Sequence, residues 1–195
     1  MQKNFKAKLN NPQRVPASRY ALFLFLAAAG CLADLFTKNL VFQRLGMPGE
    51  SAPYWLINNY VGIETSLNTG ALFGIGQNRV EILAIISIVA LVGIILWFVF
   101  SKSGNDLFLT STLGVITGGI LGNLYDRLGL WAQPGPDGER FKAVRDWILF
   151  QYSDDWKWPN FNIADSLLVC GAAVLFFASM RADAKKQADS DAQDE

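Results

Sequence analysis

The chain has no histidine among its 195 residues. That excludes the Ser-His and Cys-His nucleophile pairs of hydrolases and every His-based zinc site. It has two cysteines, Cys31 and Cys170, both inside apolar blocks. Two thiols so far apart make neither a disulfide framework nor a CxxC metal site, and they read as small apolar packing residues. Charge of one sign is not in excess either. With 17 basic and 17 acidic residues the net charge is zero, so no global basic field points to nucleic acid. Asp, Glu, Lys and Tyr are left for acid–base work, and no cofactor or metal is expected.

What the sequence does have is apolar length. Half of the residues are hydrophobic (51%), gathered in blocks of about 20 rather than alternating with polar residues, as membrane-spanning helices require. The blocks fall at 20–40, 80–100, 107–125 and 161–180. The expected fold is therefore an all-α polytopic membrane protein, one domain over 20–180 with four transmembrane helices. A basic segment, 1–19, precedes it, and a charged tail, 181–195, follows it and reads as disordered. Pro12 and Pro16 argue against helix before the first span.

Between the spans lie two polar segments. Residues 41–79 mix turn residues with β-prone patches such as Y-W-L-I-N and Y-V-G-I-E-T-S-L, and are expected to form a small extramembrane sheet or loop cap. They end in N-T-G-A-L-F-G-I-G, which lacks the lysine and spacing of a phosphate loop but could bring backbone close to a peptide. Residues 126–160 contain a Q-P-G-P-D-G turn and then Trp147, Trp156 and Trp158, suited to the headgroup level. In the third span Gly114, Gly118 and Gly122 recur every fourth residue, a small-residue stripe that admits a closely packed helix.

Four spans put both termini on one side. Arg19, Lys102, Arg181, Lys185 and Lys186 fall there, which makes it the cytoplasmic side. Asp34 and Lys38 then sit at the outer end of span one, Asn123, Asp126 and Arg127 at the outer end of span three, and Asn162 and Asp165 in the first outer turns of span four. Asp146 lies in the outer segment just before. Polar residues far apart in sequence thus converge on the outer face.

A carboxylate inside an apolar span is expensive to place, which marks Asp165 as functional. With Asp146 it could form a proton-sharing pair that activates water, since like charges a few ångströms apart cannot both ionise. The plainer alternative is that Asp146 caps a surface helix and Asp165 pairs with Lys or Arg. Asn162, three residues before Asp165, faces the same way on a helix and could position a carboxylate or merely start the helix, for which Asn160 is also a candidate cap. Asp34 and Lys38 have i, i+4 spacing and suit a mutual ion pair at the interface, although Lys38 could instead contact a substrate. Asp126 rivals Asp146 for a place in the dyad, and Arg127 could order loops or meet a headgroup.

Five blocks, D-L-F-T-K (34–38), N-T-G-A-L-F-G (68–74), G-G-I-L-G-N-L-Y-D-R (118–127), V-R-D-W (144–147) and F-N-I-A-D-S (161–166), together resemble the lipoprotein signal peptidases (signal peptidase II). Leu35 stands where the family often has glutamine, and V-R-D-W replaces the usual V-x-D-F. The resemblance implies an aspartic endopeptidase with Asp146 and Asp165 catalytic, Asp126 in support, and Asn68, Gly70, Asn123, Arg127 and Asn162 lining or shaping the site. It implies a β-rich cradle over 41–79 and a short interfacial helix near 146–156. The implied partners are membrane lipid and a diacylglyceryl-modified prolipoprotein, cut on the amino side of the lipidated cysteine, by an enzyme expected to be monomeric. Without the resemblance, a proton-coupled transporter or a non-catalytic assembly factor would compete. The apolar inner halves of spans two and four argue against a transport path.

Overall fold

The computed structural model describes residues 15–70, 76–100, 103–133, 137–153 and 156–191. The element order is α1 (Ala17–Leu45), β1 (Tyr54–Ile57), β2 (Val61–Asn68), α2 (Val80–Phe100), α3 (Leu107–Arg127), β3 (Val144–Ser153), β4 (Trp156–Lys157) and α4 (Ile163–Asp191). All four helices are long and apolar enough to cross a membrane. Pro16, which lacks an N–H to give, stands at the N-cap of α1, where that loss is harmless.

α3 is the central helix, packing on α1, α2, α4 and β3. Its glycine stripe is the reason. A Cβ on Gly114 would come within 3.0 Å of the Phe23 carbonyl oxygen, and one on Gly118 within 2.9 Å of the Ala27 oxygen. Gly122 lies against Asp34. The stripe therefore seats α1 at backbone contact along its whole length, as small-residue spacing allows. At one end of the bundle Phe23, Phe98 and Leu113 form a buried cluster, with the two rings stacked at 4.6 Å. The polar residues collect at the other end.

The four strands form one antiparallel sheet, β1-β2-β3-β4, which caps that polar end. The expected cradle over 41–79 is present as the β1–β2 hairpin. The interfacial helix near 146–156 is not: β3 and β4 occupy that stretch. Val144, Trp147, Ile148, Phe150 and Tyr152 are β-branched or aromatic, favouring a pleated surface, and β2 offers them a hydrogen-bonding edge from Val61↔Phe150 to Asn68↔Val144. Two further expectations give way. α4 continues helical to Asp191, so most of the tail is not irregular. Its cap is Asn162 rather than Asn160, because Phe161 bridges to Ile148 and stays extended, while the Asn160 amide donates to Glu64 at 3.0 and 3.1 Å. The basic residues before 15, Lys102, the 71–75 part of the glycine-rich stretch, 134–136 of the turn and 192–195 of the tail lie outside the described residues.

Candidate active site

Asp165 is set by the start of α4. The Asn162 side chain accepts from the Asp165 backbone N–H at 2.9 Å, and the Asp165 carboxylate accepts in return from the Asn162 N–H at 3.3 Å. This is a reciprocal capping box built from Asn and Asp. The next unpaired amide of the first turn, that of Ala164, donates to Asp34 Oδ1 at 2.9 Å, so α1 caps α4 as well. The second oxygen of Asp165 accepts from Asn123 Nδ2 at 2.8 Å. Both of its oxygens are thereby held, while the residue stays partly open to a neighbouring groove.

Asp146 is set by the sheet. It stands opposite Ser66 in the β2–β3 register, two positions from the Asn68↔Val144 pair, so Asn68 projects from the same face. Asn68 Nδ2 donates to Asp146 Oδ2 at 3.1 Å. Its own oxygen accepts from the Gly70 amide at 2.8 Å, which fixes which way the Asn68 side chain points. Asn162 Nδ2 donates to Asp146 Oδ1 at 2.6 Å. The two carboxylates thus meet at one residue, Asn162, which binds Asp146 with its side chain and Asp165 with its main chain. The Phe161–Ile148 bridge holds the preceding residue of this turn on β3.

Beneath the pair lies a buried charge network. Lys38 is fully buried and pairs with Asp34 at 2.7 Å and Asp126 at 3.3 Å. The expected Asp34–Lys38 pair is therefore real, but it lies inside the bundle and links three helices. Lys38 also donates to Asn123 Oδ1 at 2.9 Å. An ammonium can only donate, so this bond fixes the Asn123 oxygen and turns its NH₂ toward Asp165. Asp126 does not compete for a place in the dyad. It accepts from the Arg145 guanidinium at 2.8 Å and from the Arg145 N–H at 2.9 Å. With Lys38 and Arg145 positive and Asp34 and Asp126 negative, the network is neutral and paired, as burial demands.

Arg145 is the residue that the sequence did not single out. It precedes Asp146 on a strand, so the two side chains leave on opposite faces. One enters the site and the other enters the bundle between the rings of Trp131 and Phe42, at 5.1 and 5.9 Å. The signal was available in the alternation of a strand, had 144–147 been read as one. Arg127 lies within electrostatic reach of both site carboxylates, with its Nη1 3.5 Å from Ser87 Oγ.

Burial, and then the negative charge of Asp165, push the Asp146 carboxyl up to about 8. At neutral pH it therefore holds a proton. An apolar groove of about 550 Å³ runs beside Asp165, walled by Phe150, Trp158, Phe161 and Val169. A polar pocket of about 280 Å³ lies on the Asp146 side, between Ser66, Asn68, Gln77 and Asn160. Among the described residues no group of three or more His, Cys, Asp or Glu side chains could hold a metal ion. The arrangement offers a protonated acid, a second carboxylate and a pocket beside each of them.

These features define a class: a multi-pass membrane protein whose four helices and sheet cap carry two carboxylates in an asparagine cage at one end of the bundle. The sequence model of signal peptidase (SPase) II matches residues 26–181. The chain is 54% identical to the lipoprotein signal peptidase of Rhodopirellula baltica over 84% of its length and 74% of that protein. It is 36% identical to that of Chlorobium phaeobacteroides, over 79% and 92% of the two chains. A solved structure of a bacterial membrane enzyme shares the fold at a TM-score of 0.67 and 22% identity, over 89% of this chain and 93% of that one. The chain belongs to the signal peptidase II family.

Proposed function

We propose that the chain is an aspartic endopeptidase that removes signal peptides from diacylglyceryl-modified prolipoproteins, cutting on the amino side of the lipidated cysteine. The observation that carries this reading is the double use of Asn162, which ties Asp146 and Asp165 to a single turn of chain.

The chemistry follows from the unequal surroundings of the two acids. Asp165, beside the groove, takes a proton from water while the water oxygen attacks the scissile carbonyl carbon. Asp146 gives its proton to the carbonyl oxygen, and a gem-diol forms. Asp165 then gives its proton to the amide nitrogen, Asp146 takes one back from a gem-diol hydroxyl, and the C–N bond breaks. The pair ends as it began, with one proton. Asn123 and Asn162 hold the carboxylates in place through the exchange. Arg127, Asn68, Gly70, Asp34, Lys38 and Asp126 act by positioning and charge.

In this reading both termini are cytoplasmic and the site is at the periplasmic face of the inner membrane. Arg19 at the start of α1 and Arg181 on α4 support that orientation. A lipidated substrate would enter sideways from the bilayer into the groove beside Asp165, and one copy of the chain contains every group used. The test is incubation of purified protein with matched lipidated and unlipidated precursor peptides. Cleavage of the lipidated form alone is the expected result, and equal cleavage of both, or of neither, contradicts it.

A further inference from the structure

The groove beside Asp165 does not end there. Cys170 lines it and also lines a second groove of about 870 Å³, which runs between α1, α3 and α4 toward the opposite end of the bundle. Its walls are apolar: Leu22 and Leu26 from α1, Val115 from α3, Gly171 and Val174 from α4. Two hydroxyls on that wall do not alter this. Ser111 Oγ donates to the Leu107 carbonyl at 2.9 Å and Thr112 Oγ1 to the Phe108 carbonyl at 2.9 Å, so both are satisfied within the helix. Among the described residues the single charged one on the wall is Asp106, the exposed N-cap of α3, whose carboxylate accepts from Leu109 N–H at 3.1 Å.

From this we infer that the second groove is the seat of the substrate's signal peptide, with the apolar segment along α4 and the basic amino-terminal segment at Asp106. The inference rests on the peptidase reading above and adds to it a binding track and a charge-recognising residue. Three observations favour this occupant. The track adjoins the groove beside Asp165 at Cys170, which lines both. At its far end the groove wall carries the Asp106 carboxylate, and signal peptides carry a positive n-region before an apolar stretch of about 7–15 residues. The lengths also agree. Asp106 and Asn123 stand at the two ends of α3, roughly 25 Å apart at 1.5 Å per residue. At the long end of that range an apolar helix spans roughly 22 Å, which brings its amino end near Asp106 when its carboxyl end is at the dyad.

Two variants test this with the full-length enzyme in lipid and a synthetic lipidated precursor. Asn caps as well as Asp, so Asp106→Asn keeps α3 intact and removes only the charge. KM for a precursor with a lysine-bearing n-region should rise about two- to fivefold, the size of an exposed ion pair, while KM for the same precursor with glutamine in place of lysine stays unchanged. A photo-crosslinking benzoylphenylalanine at Val174 should label the precursor, whereas the same group at Val92, exposed on α2 away from the groove, should not. Cleavage that continues while Val174 labels only phospholipid, or an Asp106→Asn effect equal for both precursors, overturns the inference and leaves the peptidase reading standing. Failure of the unmodified enzyme to cut either precursor overturns both.

Discussion

Asn162 donates to Asp146 across a 2.6 Å hydrogen bond while the same side chain, through its oxygen, caps the helix that carries Asp165. Catalytic geometry and helix initiation are therefore the work of one residue, and substitution can separate them. Asn162→Ala should lose about 1 kcal/mol of stability with the cap and at least about a hundredfold in kcat, as positional errors at a reacting centre do. Asn162→Ser restores a capping oxygen but cannot reach both carboxylates. It should melt close to the wild type in detergent and remain as inactive as the alanine variant.

The state of Asp146 predicts a pH profile. Its carboxyl lies near 8 in the folded protein against about 3.9 in an unfolded chain. The mechanism needs its proton, so kcat/KM should fall above about pH 8, tenfold per unit. Stability follows the same sign. Between about pH 4 and 8 the folded state keeps a proton that the unfolded state has lost, so stability is fully present below about pH 4 and declines as pH rises, by about 1.4 kcal/mol per unit from this group. Thermal unfolding of Asp146→Asn should lack that slope, and its advantage over wild type should be largest at pH 8 and vanish toward pH 4.

Lys38 is the one cation between Asp34 and Asp126 that lies directly under Asn123. Lys38→Met should destabilise the bundle by about 3–5 kcal/mol, because it leaves a buried carboxylate uncompensated. The double variant Lys38→Met with Asp34→Asn should regain much of that, since Asp126 keeps Arg145. It should not regain activity, because Asn123 loses the donor that orients it. Melting temperatures and turnover of the three proteins check both halves.

The sequence makes some of this legible and conceals the rest, for identifiable reasons. The four spans, the glycine stripe and the convergence of polar residues follow from apolar length and helix period alone, and the structure keeps them. Asp34 and Lys38 were visible as a pair by spacing, yet their burial was not, since depth depends on Gly122 admitting Asp34 from another helix. The helix near 146–156 was implied by the family resemblance and not by the residues, whose tryptophans suit the headgroup level in either conformation. The pairing of that stretch with β2 is a contact across some 80 residues, which local pattern does not carry. The role of Arg145 was hidden with that strand, whereas for Asn162 both readings, carboxylate positioning and helix start, were legible by spacing and the structure joins them in one side chain.

The account stands most directly on the two carboxylates acting together, and turnover of a lipidated precursor by purified Asp146→Asn and Asp165→Asn variants measures it. Each variant should insert, fold and bind the precursor, yet cleave it at least about a thousandfold more slowly, with the double variant no worse than either single one, as befits groups that act as a unit. Wild-type-like turnover by either single variant would contradict the account.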